Sequence, residues 1–171
     1  MKKVLILLSF VLLQDAAIAQ KKLTPTTSFT ISGNVKTEAT ITLNALDTFK
    51  QVNIGDVSIK NHLGESKYTH EKLKGVLLKD VLKQVVYTSE SPKVLSEFYF
   101  TCVATDGYKV VFSWNELYNN PLGDHVYVIT EENGKKANAV DDRIAIISTT
   151  DVNTGRRYVK CLSKIIVNRI P

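Results

Sequence analysis

Only two cysteines, Cys102 and Cys161, occur in the 171 residues, and their separation is far too wide for a C-x-x-C redox pair or a zinc-type pair. The chain also lacks a G-x-S-x-G elbow, a P-loop and an H-E-x-x-H metal helix, so no stand-alone catalytic motif announces a reaction. There are no internal repeats and no low-complexity tracts, which excludes solenoid and linker-like architectures. Basic residues come as scattered pairs (Lys21-Lys22, Lys135-Lys136, Arg156-Arg157) without a dense run or interleaved aromatics. A nucleic-acid partner is therefore not expected.

Long apolar runs are scarce as well. The longest, Val4 to Leu13, is about half of the roughly 20 residues that a bilayer-spanning helix needs. It follows Lys2 and Lys3, and Asp15 and the small-residue exit Ala17-Ile18-Ala19 come after it, the three-part pattern of a cleaved secretion signal. Residues 1–19 are thus expected to be removed, leaving an exported chain, periplasmic or extracellular, with no permanent membrane span. No cysteine follows the exit, so lipid attachment has no thiol there. Without Lys2, Lys3 and Asp15 the remaining 152 residues carry 20 basic and 16 acidic groups, a mild excess, and their number suits one domain.

Residues 20–28 are polar with Pro25 and read as a flexible lead; the domain proper is expected over 29–171. Phe29, Ile31, Gly33 and Val35 alternate as in a strand, and a second strand follows at about Ala39 to Leu43. Thr42 can cap a short helical turn bearing Leu43 and Leu46. Val52 to Ile59 alternates with a phase slip at Gly55, the mark of a bulge. Asn61 to Lys74 is polar and irregular and reads as a loop. Leu77, Leu78, Val81, Leu82 and Val85 fall on one helical face after Gly75, so a helix is expected over Val76 to Val86. Ser91-Pro92 breaks the connection to a strong strand from Phe98 to Ala104.

Asp106-Gly107 predicts a hairpin turn into Lys109 to Phe112, and Ser113-Trp114-Asn115-Glu116 has capping-box spacing. Asn133-Gly134 predicts a second hairpin after Val126 to Thr130. Arg143 to Ser148 and Tyr158 to Val167 read as closing strands. Many strands with two or three short helices give an α+β domain with mixed β-sheets.

Several residues suggest chemistry. His62, Glu65 and His70 lie in one polar stretch and are of metal-ligating type, although their spacing matches no ligand pattern and an ordinary solvated loop is the simpler explanation. His125 stands alone beside a turn. Asp106 and Tyr108 flank the Asp-Gly turn, where Tyr108 is able to stack on or hydrogen-bond a ligand. Arg143, Arg156 and Arg157 adjoin turns, and their planar forks suit phosphate as well as surface carboxylates. Cys102 and Cys161 stand in apolar runs: an exported compartment permits a bridge between them, while two separately buried thiols fit the composition too.

Taken in order, Ile31-Ser32-Gly33-Asn34-Val35, Leu43 and Leu46, Gly75-Val76-Leu77-Leu78 with Val81-Leu82, Asp106-Gly107-Tyr108, and Gly155-Arg156-Arg157-Tyr158-Val159-Lys160 followed by Leu162, Ile165 and Val167 resemble the oxidoreductase molybdopterin-binding domain, the middle domain of the sulfite-oxidase type. The resemblance runs from about Phe29 to Val167. It implies that fold, molybdopterin as the cofactor class to consider, and cofactor contacts at Asn61, His62, Asp106, Tyr108, Arg143, Arg156 and Arg157. In catalytic members a cysteine thiolate on the loop before the "GVxL" segment ligates molybdenum. Here that loop, Lys60-Asn61-His62-Leu63-Gly64-Glu65, has no cysteine, and the arginine that commonly accompanies it is missing. The leading expectation is an exported domain of this type that has lost the redox chemistry and binds a small-molecule ligand or a protein partner. Two alternatives stand beside it: an oxidoreductase with an atypical metal ligand (Asn61, His62 or solvent), and a metal or small-molecule binder working through Asn61 to His70.

Overall fold

The computed structural model describes residues 22–89 and 91–171. The expected signal segment, residues 1–19, lies outside the described residues. No helix among the described residues is long and apolar enough to cross a membrane.

Two five-stranded sheets pack against each other. The first contains β1 (Ser28–Gly33), β2 (Ala39–Thr42), β5 (Phe98–Ala104), β6 (Lys109–Ser113) and β10 (Leu162–Arg169) in the order β2-β1-β10-β5-β6. Its one parallel pair joins β1 to β10; the other pairs are antiparallel. The second sheet runs β3 (Val52–Lys60), β4 (Ser66–Leu77), β7 (Val126–Glu132) and β8 (Lys135–Lys136), with β9 (Ala145–Ser148) also paired to β7. Four short α-helices occur among the described residues: α1 (Leu43–Leu46), α2 (Leu78–Leu82), α3 (Pro92–Leu95) and α4 (Trp114–Tyr118). The expected α+β class with mixed sheets is the one observed. α3 brings the helices to four because Pro92, at its first turn, starts a helix where the sequence suggested only a break.

Period-two alternation places the core. Phe29 and Ile31 of β1, Phe98, Phe100 and Cys102 of β5, Phe112 of β6, and Ile165 and Val167 of β10 point inward from the first sheet. Val126 and Val128 of β7 meet them from the second sheet, and Tyr127 and Ile129 on the opposite face of β7 join Val57, Ile59, Leu73, Ile147 and Tyr158 in a smaller cluster. The second sheet is therefore buried on both faces along β7. Each fully buried Phe or Leu contributes about 1.5–3 kcal/mol of transfer free energy.

Three segments differ from expectation. Residues 66–74 are strand, not loop, since β4 runs for 12 residues against β3. The helix expected over Val76 to Val86 is confined to Leu78–Leu82. Gly75, Val76 and Leu77 extend β4 by pairing with Ile129, Val128 and Tyr127 of β7. A short apolar run buried on both faces has no periodicity to separate strand from helix. The closing strand also starts late, at Leu162, because Cys161 adopts a left-handed φ of 48°.

The local signals at turns hold. Thr42 Oγ1 accepts from the Ala45 amide and Ser113 with Glu116 forms a complete capping box. Gly55 (φ 84°) interrupts the β3 register. The residues before β1 are tied at Thr24, whose amide donates to Thr105 Oγ1 (2.9 Å) while its carbonyl accepts from the same hydroxyl (3.0 Å).

Candidate functional site

The hairpin of β3 and β4 closes through Asn61. Its Oδ1 accepts from the amides of Leu63 (2.9 Å) and Glu65 (3.0 Å), and its Nδ2 donates to the Glu65 carboxylate (2.8 Å). That bond and the neighbouring Lys67 hold the Glu65 carboxyl below its ordinary pKa. A 3-10 turn, Thr154–Arg157, lies against the same hairpin. Thr154 is buried; its hydroxyl donates to the Ser58 carbonyl (2.7 Å) and accepts from the Lys60 amide (2.9 Å). A Cβ on Gly155 would lie 2.7 Å from the Lys60 carbonyl oxygen, so this approach requires glycine.

Hairpin and turn flank an open, shallow cleft of about 310 Å³. Lys60, Asn61, His62, Lys67, Tyr68 and Arg156 line it with Gly155. Lys67 pairs with Glu65 at 3.2 Å, whereas Lys60 and Arg156 have no ion-pair partner among the described residues. Two uncompensated cations in a concave wall suit an anionic group. A groove between α1 and β7 of about 490 Å³ is larger, yet its charges cancel as Lys74–Glu131 and Lys136–Asp47 pairs.

Of the residues singled out by sequence, the fold brings Asn61, His62 and Arg156 to this cleft, and Tyr108 reaches its wall by donating its hydroxyl to the Arg156 carbonyl at 2.6 Å. Asp106 organises its own turn by accepting from the Tyr108 amide (2.8 Å). Arg143 (φ 45°) is set beside Cys161, away from the cleft lining. Arg157 does not line the cleft: its guanidinium binds Asp151 and Glu116. His125 is the last residue of the 3-10 turn Pro121–His125, and its carbonyl accepts from the Thr149 amide.

His62, Glu65 and His70 are not gathered. No cluster of three His, Cys, Asp or Glu side chains suited to a metal ion occurs among the described residues. His70 is buried on β4, with Nδ1 against Glu132 and its ring edge-on to Tyr68 and Tyr158, both 5.2 Å away. Nor are the cysteines bridged; both are free, buried thiols. Cys102 points into the core opposite Ile165, and burial pushes its thiol up to about 12. Cys161 Sγ faces the Asp141 carbonyl at 3.8 Å, and burial, then the Asp142 carboxylate, raises its pKa.

Sequence reasoning missed Tyr68, Lys67 and Lys160. Lys160 pairs with Asp142 (3.0 Å) and lies over the rings of Tyr68 (5.4 Å) and Tyr158 (5.3 Å), bracing the Tyr68 side of the cleft. Tyr158 donates to Asp142 (2.8 Å), and its own ionisation is suppressed by burial and that carboxylate. Alternation of Tyr68 and His70 was the available signal, hidden by the surrounding polar residues.

The chain matches no family model and no curated protein sequence. Among solved structures it is similar to the sulfane dehydrogenase SoxCD from Paracoccus pantotrophus, with a TM-score of 0.59 at 12% identity over 88% of this chain. The fold is of the sulfite-oxidase type. The aligned region is 39% of the SoxCD chain, so this chain spans less than half of that protein's length. Residues at the cleft fit only part of what molybdopterin, the cofactor class implied by the sequence resemblance, would ask for. Lys60, Lys67 and Arg156 suit an anionic group such as a phosphate, whereas no thiol reaches the cleft, so the donors for a thiolate-bound metal do not fit.

Proposed function

We propose that this chain is an exported binding protein on a sulfite-oxidase-type fold, taking an anionic small molecule in the cleft between the β3–β4 hairpin and the Thr154–Arg157 turn, without thiolate-ligated molybdenum chemistry. One observation carries the reading: the cleft is lined by Lys60, Lys67, His62 and Arg156, while both cysteine sulfurs are buried elsewhere. Burial and the high pKa of Cys102 keep it a thiol rather than a metal-binding thiolate. A phosphate-bearing heterocycle, including a metal-free pterin, matches the basic lining and the half-exposed Tyr68 ring, which offers a stacking face.

Inorganic phosphate is the simplest probe. Titration followed by amide shifts should place the changes at Asn61, His62, Gly155 and Arg156, and Lys60→Ala with Arg156→Ala should abolish them. Shifts elsewhere, or binding that both variants retain, would refute the site.

A further inference from the structure

We propose that Arg157 is a positioning residue for the cleft, a strut that fixes the Gly155-Arg156 wall without touching the ligand; this rests on the anion-binding reading of the same cleft. All three guanidinium nitrogens are committed. Nε and Nη2 donate to the two carboxylate oxygens of Asp151 (2.7 and 2.6 Å), and Nη1 donates to Glu116 Oε1 (2.9 Å). The guanidinium carbon also lies 4.6 Å from the centre of the Phe112 ring, which is fully buried in the main core.

Each partner is itself anchored. Asp151 Oδ1 accepts from the hydroxyl of Ser148, a fully buried residue at the end of β9 (2.7 Å). The second oxygen of Glu116 accepts from the Ser113 amide (2.7 Å) and hydroxyl (3.0 Å) in the capping box of α4. The 3-10 turn is thus held from two directions, by Thr154 to β3 and by Arg157 to β9, β6 and α4. Between those anchors stand Gly155 and Arg156, the two turn residues that line the cleft.

Charge makes a direct ligand role for Arg157 unfavourable. One guanidinium faces two carboxylates, so a ligand anion reaching it would have to displace one of them. A planar fork is needed to engage both at once, and a lysine ammonium offers no such geometry.

That difference supplies the test. In the full chain, Arg157→Lys and Arg157→Met are compared with Arg156→Ala, reading inorganic phosphate affinity and the Gly155 and Arg156 amide shifts of the free protein. A strut predicts that Lys and Met weaken phosphate binding alike, by roughly three- to tenfold, because both lose the fork. It also predicts displaced Gly155 and Arg156 amides before any phosphate is added. Near-full affinity in Arg157→Lys with loss in Arg157→Met would show direct charge contact and overturn the proposal. If Arg157→Met does not fold, Glu116→Gln keeps the cap acceptor and removes one charged partner; unmoved Gly155 and Arg156 amides there would equally overturn it. Phosphate affinity unaltered in Arg156→Ala and Lys60→Ala would instead defeat the cleft reading, leaving the strut to be judged on the amide shifts alone.

Discussion

Tyr108 donates its hydroxyl to the carbonyl of Arg156 across 2.6 Å, joining the β5–β6 turn to the wall of the cleft. The two residues are 48 positions apart, and the bond is made to backbone, so it holds the turn whatever the Arg156 side chain does. Tyr108→Phe removes the donor and keeps the ring. The expected loss is about 0.5–1.5 kcal/mol of stability by chemical denaturation, the usual net worth of one hydrogen bond. A moderate fall in phosphate affinity should accompany it.

Gly155→Ala tests the closeness of turn and hairpin. The added Cβ would meet the Lys60 carbonyl oxygen at 2.7 Å, which backbone on both sides must relieve. An expected cost of about 1–3 kcal/mol follows from overpacking. Calorimetry measures it, and amide shifts confined to residues near Lys60 and Arg156 would confirm that the strain is local.

Much of this was legible in the chain. Asp106-Gly107, Asn133-Gly134, Thr42 and Ser113 with Glu116 act through bonds between near neighbours, so their spacing alone announces them. Asn61, His62 and Arg156 meet in one cleft only because the fold sets the Thr154–Arg157 turn against the β3–β4 hairpin. β4 was hidden: Ser66 to Lys74 is polar on both faces, and only pairing with β3 and burial of His70 and Leu73 makes it a strand. The carboxylate partners of Arg157 were not legible, because its fork fits carboxylate as well as phosphate, and Asp151 and Glu116 are joined to it only by the fold.

Cys102 should resist thiol reagents at pH 8 in the native protein, because its thiol is buried and its pKa is pushed up to about 12. Cys161, buried and free, should be protected too. Both should label in denaturant without prior reduction. Cys102→Ser should cost about 1–3 kcal/mol by placing a hydroxyl among apolar neighbours, measurable as a lowered urea midpoint.

Acid should weaken the Arg157 network. Burial alone would raise the Asp151 carboxyl, but hydrogen bonds from Arg157 and Ser148 outweigh it and leave it lowered; Glu116 is lowered likewise, against burial, by Ser113 and Arg157. Folded-state values below the unfolded ones mean stability that is present above about pH 4–5 and lost as pH falls through the folded values. At pH 6 Arg157→Met should be less stable than the parent by about 2 kcal/mol, and urea unfolding should show that gap narrowing as the pH falls below the ordinary carboxylate range of about 4.

The most direct measurement is the molybdenum content of the protein purified from a host that makes the full cofactor. With no thiol at the cleft, far less than one molybdenum per chain is predicted, with or without a metal-free phosphate-bearing ligand. Stoichiometric molybdenum, with the visible absorption of a thiolate-to-metal transition that disappears in Cys102→Ser or Cys161→Ser, would contradict the account.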